Sequence, residues 1–344
     1  MELGISTFVE TTPDDNGKPI ITHAQRIREV VEEAKLADEL GLDVYAIGEH
    51  HRADFAASAP AVILGAIASV TKNIRLASAT SNISSDDPIR IYQDFATIDG
   101  ISNGRAEIMA GRGSFTEAFP LFGYDLKDYE ELFDEKLQLL LQAQKNEFVT
   151  WEGKHRPSIN NIGIYPRPVQ KELPVWIGTG GNPESTARAA ILGCPIVYAI
   201  IGGSPMGFKP LVEIYKRVME SEGHDTSNMG IASHSHGFVA KTDEIAQERF
   251  YEPTRKVMTQ LGKERGWGDY TREIYNHALR PEGALYVGSP ETVANKIIKL
   301  NREVGINRFF LHLPLGTMPH DEVMEAIELF GKEVAPRVRA ELGE

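Results

Sequence analysis

Cysteine, clustered positive charge and long apolar runs are scarce in this chain, and each shortage removes a class of function. Cys194 is the single cysteine among 344 residues, so no internal disulfide can form. With no Cys or His partner at ligand spacing, it reads as a small buried residue rather than a nucleophile. The formal net charge of -13 argues against nucleic acid or an anionic membrane as partner, because both attract clustered Lys and Arg. No run of about 18 apolar residues occurs, and Met1-Glu2-Leu3-Gly4 lacks the basic and apolar regions of a signal peptide. The expectation is a cytosolic protein acting on a small molecule. The helical His-Glu-x-x-His pattern and the Gly-x-Ser-x-Gly elbow are missing too, which weakens the zinc and serine-hydrolase readings. No metal ligand is assigned.

What the chain does have is alternation. Residues 42% hydrophobic and 25% charged suit a large buried core. Short β-rich runs recur at Leu3–Phe8, Asp43–Ile47, Ile74–Thr80, Ala106–Ala110, Val175–Gly178, Pro195–Ile201, Gly230–Val239 and Asn307–Leu313. Helical patterns separate them. The first is capped by Thr22, repeats Ile27, Val30, Val31, Ala34, Ala37 and Leu40 at three and four, and stops at Gly41. Eight such units predict an α/β fold, a (β/α)₈ TIM barrel forming one domain over residues 1–344. Excess length after strand 4, including an apolar hairpin pattern over 147–166, and after strand 7, over 250–285, marks two insertions.

In a barrel the carboxyl ends of the strands share one mouth. Glu49, His50 and His51 leave the second strand; Ala79, Thr80 and Asn82 the third; Gly111 and Arg112 the fourth; Thr179, Gly180 and Gly181 the fifth; His234, His236 and His312 lie on the last two. His234 and His236, alternating with small residues, are open to two readings, ligand contacts or satisfied interior groups. Adjacent residues on a strand face opposite ways, so His50 and His51 do not share an ion. Thr179-Gly180-Gly181-Asn182-Pro183-Glu184-Ser185 reads as a phosphate cradle, with Asn182 capping a helix that starts at Pro183, or as a tight connection and nothing more. Arg112, between glycines on the neighbouring strand end, favours the cradle. Pro183 at the third glycine position leaves the Rossmann fingerprint incomplete, so a dinucleotide site is a poor reading.

Four strings then reach a family. Glu49-His50-His51, Ser84-Ser85-Asp86-Asp87-Pro88 with Tyr92-Gln93, Asp99-Gly100-Ile101-Ser102-Asn103-Gly104-Arg105, and Val287-Gly288-Ser289-Pro290-Glu291 resemble, in order and across nearly the whole chain, the bacterial luciferase-like flavin monooxygenases. The resemblance implies a barrel enzyme that takes reduced FMN, usually from a separate flavin reductase. It would use O₂, through a C4a-hydroperoxide, to oxygenate an aldehyde, ketone or related compound. It implies phosphate contacts from Arg112, Gly180, Gly181 and Ser185, beside Thr179, and a non-proline cis peptide under the flavin at Ala79-Thr80. His50 is implied as the catalytic acid or base near neutral pH, oriented or tuned by Glu49; the other reading of Glu49 is a structural carboxylate.

Two departures accompany the resemblance. Gly111 stands where luciferase has a reactive cysteine, so light emission is not implied, and Gly180 replaces an acidic residue. Alternatives within the same fold are F420-dependent hydride transfer and a flavin-binding protein without turnover. A homodimer is expected. Barrel loops set specificity, and the aromatic residues of segments 115–124, 202–208 and 267–275 suggest an apolar pocket.

Overall fold

The computed structural model describes residues 1–227 and 229–343. Eight parallel strands close on themselves: β1 Glu2–Thr7, β2 Val44–Ile47, β3 Arg75–Ser78, β4 Ala106–Gly111, β5 Val175–Thr179, β6 Ile196–Ala199, β7 Ile231–Val239 and β8 Arg308–His312. Each pairs with the next, and β8 returns to β1 in the register Glu2 to Arg308 through Ser6 to His312. Around them run α1 His23–Glu39, α2 Pro60–Val70, α3 Pro88–Ser102, α4 Tyr129–Lys145, α5 Pro183–Ile191, α6 Lys209–Ser221, α7 Pro290–Val304 and α8 His320–Leu329. The chain is the expected TIM barrel, with both insertions where the excess length placed them.

Local chemistry explains most boundaries. Thr22 caps α1 by accepting from the Gln25 amide, and Gly41 beyond its end has φ +69°. Asn182 accepts from Glu184 and Ser185 to start α5, with Pro183 in the first turn. Strand periodicity divides the core in two. Tyr45 and Ile47 pack outward against the helices, whereas Val44 and Ala46 join Ala77, Ala79, Met109, Trp176, Val197, Ala232 and Phe310 inside the barrel.

At the amino end of the barrel Glu107 is gripped by Arg75 and Arg308, and the Arg308 guanidinium lies 4.2 Å from the Trp176 ring centroid. Burial works against charge on Glu107, yet the two arginines hold its carboxyl below the ordinary value. That plug closes the bottom and leaves the carboxyl face for ligands.

Two differences from the expected strands bear on the site. The third run breaks after Ser78; Ala79-Thr80 is a cis peptide, and Ser81–Asn82 then pairs separately with Ala110 and Gly111. A short strand, Tyr286–Gly288, was not anticipated. It pairs with Gly237–Val239, because β7, at nine residues, continues past the last residue it pairs with on β8. The first insertion carries the hairpin Phe148–Trp151 and Ile159–Gly163, and the second carries helices Asp243–Arg265 and Arg272–Leu279. Among the described residues no helix is long and apolar enough to cross a membrane.

Candidate active site

Phe8, just past β1, is the hub of an aromatic and histidine chamber at the mouth. Its ring centroid lies 4.5 Å from His50, 5.7 Å from His234 and 4.2 Å from His312. His50 continues outward to Phe55 at 4.5 Å and Phe115 at 4.9 Å. His312 is fixed: its Nε2 lies 2.9 Å from Oε1 of Glu10 and its Nδ1 3.4 Å from the Ser6 hydroxyl. Glu10 also accepts from the Thr7 hydroxyl at 3.0 Å, bracing a turn in which Val9 takes φ 59°, a conformation β-branched residues rarely adopt. His50 and His234 differ from His312. Each buries an Nε2 that has no partner.

This environment corrects one expectation about His50. Burial, with smaller contributions from His312, His51 and Arg52, lowers its pKa to about 3, so the imidazole is neutral rather than poised near pH 7. Nor does Glu49 orient it. The Glu49 carboxylate accepts from His51 Nε2 at 2.9 Å and from the Asn82 amide at 3.0 Å, while Asn82 Nδ2 donates to the Glu49 carbonyl at 3.2 Å. Glu49 therefore clamps the end of β2 to the Ser81–Asn82 strand, the structural alternative. His50 contacts Phe8, Phe55 and Phe115, whereas His51 contacts Glu49 and Phe122.

At the other end of the site, β4 and α5 bring Arg112 and Ser185 together. Arg112 Nη2 donates to Ser185 Oγ at 3.2 Å. Its Nη1 pairs with Glu130, which also reaches Arg188 at 3.5 Å. Thr179 Oγ1 accepts from the Gly181 amide at 3.3 Å. Gly181 sits at φ +99° with the Phe208 ring 2.8 Å from where a Cβ would stand, whereas a Cβ on Gly180 would meet open space. The cradle is thus bare backbone flanked by a guanidinium and a hydroxyl. An entering anion would compete with Glu130, a residue that sequence reasoning did not single out.

Thr80 occupies the span between the two ends. Its side chain fills the room that a Cβ on Gly111 would need, and its Cγ2 lies 2.7 Å from the Cβ position of Gly178. A side chain at Gly111 and Thr80 in this pose exclude each other. His50, Ala79-Thr80, Arg112 and the Gly180–Ser185 turn follow four consecutive strands, β2 to β5, along one side of the mouth.

Arg52 and Arg265 cover the chamber. Arg52 pairs with Asp54 at 3.1 Å, Glu117 at 2.8 Å and Glu264 at 2.7 Å, and its guanidinium lies 4.8 Å from the Phe115 centroid. Arg265 donates to the Ser114 carbonyl at 3.1 Å. The loop after β4 is thereby tied to the insertion after β7. A cleft of about 520 Å³ leads to this region, lined by His23, His50, His51, Arg52, Leu121 and Phe122 among others. Phe55, Glu10 and Arg52 carried no motif; their roles depend on contacts far apart in sequence.

Comparison with known proteins gives the following. The family profile described as "Luciferase-like monooxygenase" matches residues 1–308. The N-acetyl-S-alkylcysteine monooxygenase of Bacillus subtilis (strain 168) is 26% identical over 307 residues, 86% of this chain and 89% of that one. Among solved structures, the oxygenating constituent of 3,6-diketocamphane monooxygenase from Pseudomonas putida, a type II Baeyer-Villiger monooxygenase in complex with FMN, has a TM-score of 0.80 at 21% identity and covers 98% of both chains. An F420-dependent secondary alcohol dehydrogenase has a TM-score of 0.74 at 20% identity, covering 98% of this chain and 99% of that one.

Proposed function

The chain belongs to the luciferase-like monooxygenase family, and from that premise we propose that it is an FMN-dependent monooxygenase that oxygenates a small carbonyl or related compound with O₂. One observation carries the cofactor: the Arg112 guanidinium, the Ser185 hydroxyl and a glycine turn open at Gly180 gather where β4 and β5 end. After β2, along the same side of the mouth, lies the buried, partnerless imidazole nitrogen of His50. Arg112, Ser185, Thr179, Gly180 and Gly181 would hold the phosphate, and Ala79-Thr80 would lie beneath the ring. When bound, reduced flavin supplies the activation of O₂ and the transfer of one oxygen atom.

The chain's own part is to orient, to dry and to hold a proton. Phe8, Phe55 and Phe115 exclude water from the chamber. The neutral His50 offers its Nε2, by tautomer, either as acceptor or as N–H donor to a polar group entering beside it. Glu49 acts through the loop it clamps. Reduced FMN would arrive from a separate reductase, and the assembly would be a homodimer.

Anaerobic titration with reduced FMN, followed by admission of oxygen, tests the reading. Saturable binding and oxygen consumption are expected. Binding of F420 with hydride exchange and no oxygen uptake would instead identify the deazaflavin branch, to which the alcohol dehydrogenase likeness points. Failure to bind either cofactor would overturn both.

A further inference from the structure

We propose that His234 is a substrate-binding residue and that, with His50 across Phe8, it selects an uncharged carbonyl compound with a flat or compact apolar body. The proposal rests on the monooxygenase reading above and extends it to the substrate. The starting point is a contrast within one cluster. His234 and His312 have ring centroids 4.9 Å apart; His312 has both nitrogens engaged by Glu10 and Ser6, whereas His234 Nε2 is buried with no partner. A buried polar atom without a partner is rare and costly, and one retained at a barrel mouth calls for a ligand atom. His50 Nε2 makes the same demand from the other side of Phe8.

The strand pattern explains why His234 points inward. On β7, Ser233 and Ser235 lie on one face, their hydroxyls 2.9 Å apart, so His234 and His236 take the opposite, interior face. β7 carries none of the residues proposed to hold the flavin phosphate, and the substrate is the partner proposed for His234. Phe8 stacks on the His234 ring with an interplanar angle of 27°, and Phe55 and Phe115 continue the apolar wall past His50.

Charge argues for a neutral ligand. Burial lowers the pKa of both imidazoles, so neither presents a cation to a carboxylate. Of the two guanidiniums over Phe115, Arg52 is already matched by Asp54, Glu117 and Glu264, and Arg265 is engaged by the Ser114 carbonyl. A carbonyl oxygen needs one N–H donor and no counter-charge, and the chamber offers two imidazoles able to give it.

The test uses the full chain saturated with oxidised FMN, ¹⁵N-labelled at histidine, with benzaldehyde and benzoate as matched probes. Benzaldehyde is expected to shift the Nε2 resonances of His234 and His50. Benzoate is expected to bind at least about tenfold more weakly, and His234→Phe to weaken benzaldehyde by about five- to tenfold, the loss of one or more hydrogen bonds. His234→Gln, which keeps a polar group, should bind within about twofold of wild type. The proposal is overturned if wild type does not bind benzaldehyde, if His234 Nε2 stays still or moves with FMN alone, or if benzoate binds equally well. Flavin fluorescence separately reports FMN uptake: its failure counts against the cofactor reading, while a His234 shift with benzaldehyde would still support the substrate site.

Discussion

Arg112 donates from Nη2 to the Ser185 hydroxyl across 3.2 Å, joining the end of the fourth barrel strand to the first turn of the helix that follows the fifth. Two segments separated by an entire insertion thereby meet beside the Gly180-Gly181 turn. Replacing Arg112 with Ala removes the charged half of that pair, and FMN affinity should fall by about 10- to 100-fold, matching the usual worth of a hydrogen bond to a charged group. Ser185→Ala should cost less than tenfold, about the worth of one neutral hydrogen bond. Quenching of flavin fluorescence measures both, and equal, small effects would remove Arg112 from the site.

His50→Ala should lower kcat by about 10²- to 10⁴-fold, the range for loss of a positioned proton-transfer group, with FMN affinity changed little. Because His50 stays neutral until about pH 3, the kcat/KM profile of the wild type should show no inflection near pH 6.5 that His50→Gln abolishes. An inflection there, lost in the variant, would mean the chamber leaves His50 protonatable.

Buried neutral histidines also make folding pH-dependent. His50 and His236 are lowered by burial to about 3, and burial likewise lowers His234 well below the ordinary histidine value. Between those values and the ordinary histidine pKa the unfolded chain binds more protons. Their contribution to stability is therefore complete above about pH 6.5 and declines as pH falls toward 3. Each site contributes a slope of at most about 1.4 kcal/mol per pH unit. Urea unfolding at pH 7, 6 and 5 should show the decline, and His236→Phe should flatten it.

Gly111 and Thr80 compete for one volume. Gly111→Ala should destabilise by about 1–3 kcal/mol through overpacking, and adding Thr80→Gly should recover part of that loss. Urea denaturation of the two single variants and the double variant completes the cycle. Additive losses would show that the side chain at 111 finds room elsewhere.

Arg52 fastens the loop after the fourth strand to the helix Asp243–Arg265 through Glu117 and Glu264. Arg52→Ala should accelerate amide exchange in residues 113–117 and 262–268 by about tenfold or more, consistent with loss of roughly 1.4 kcal/mol of local stability. Strands β1 and β8 should be unaffected. Hydrogen exchange followed by mass spectrometry separates the outcomes.

Much of this molecule was readable from its residues in order. Apolar runs ending in Glu49-His50-His51 or Gly111-Arg112 mark strands and their mouth, and Thr22, Gly41, Asn182 and Pro183 mark helix ends. Such signals act over a few residues, where pleat, cap and turn geometry are set by the chain itself. Glu49 shows the limit. Its neighbour in sequence is His50, but its carboxylate serves His51 and Asn82, because a strand end sends successive side chains to opposite sides.

The sequence by itself determined the eight-fold alternation, the polar carboxyl face and the glycine turn opposite Arg112. Only the tertiary structure decided which histidines are satisfied and what covers them. The Glu10–His312 contact joins residues 302 positions apart and the Arg52–Glu264 pair residues 212 apart. Neither exists until the barrel closes and its insertion folds back over the mouth. Burial within that closed chamber makes His50 a neutral group, since ionisation depends on the water and charges around a side chain rather than on its neighbours in the chain.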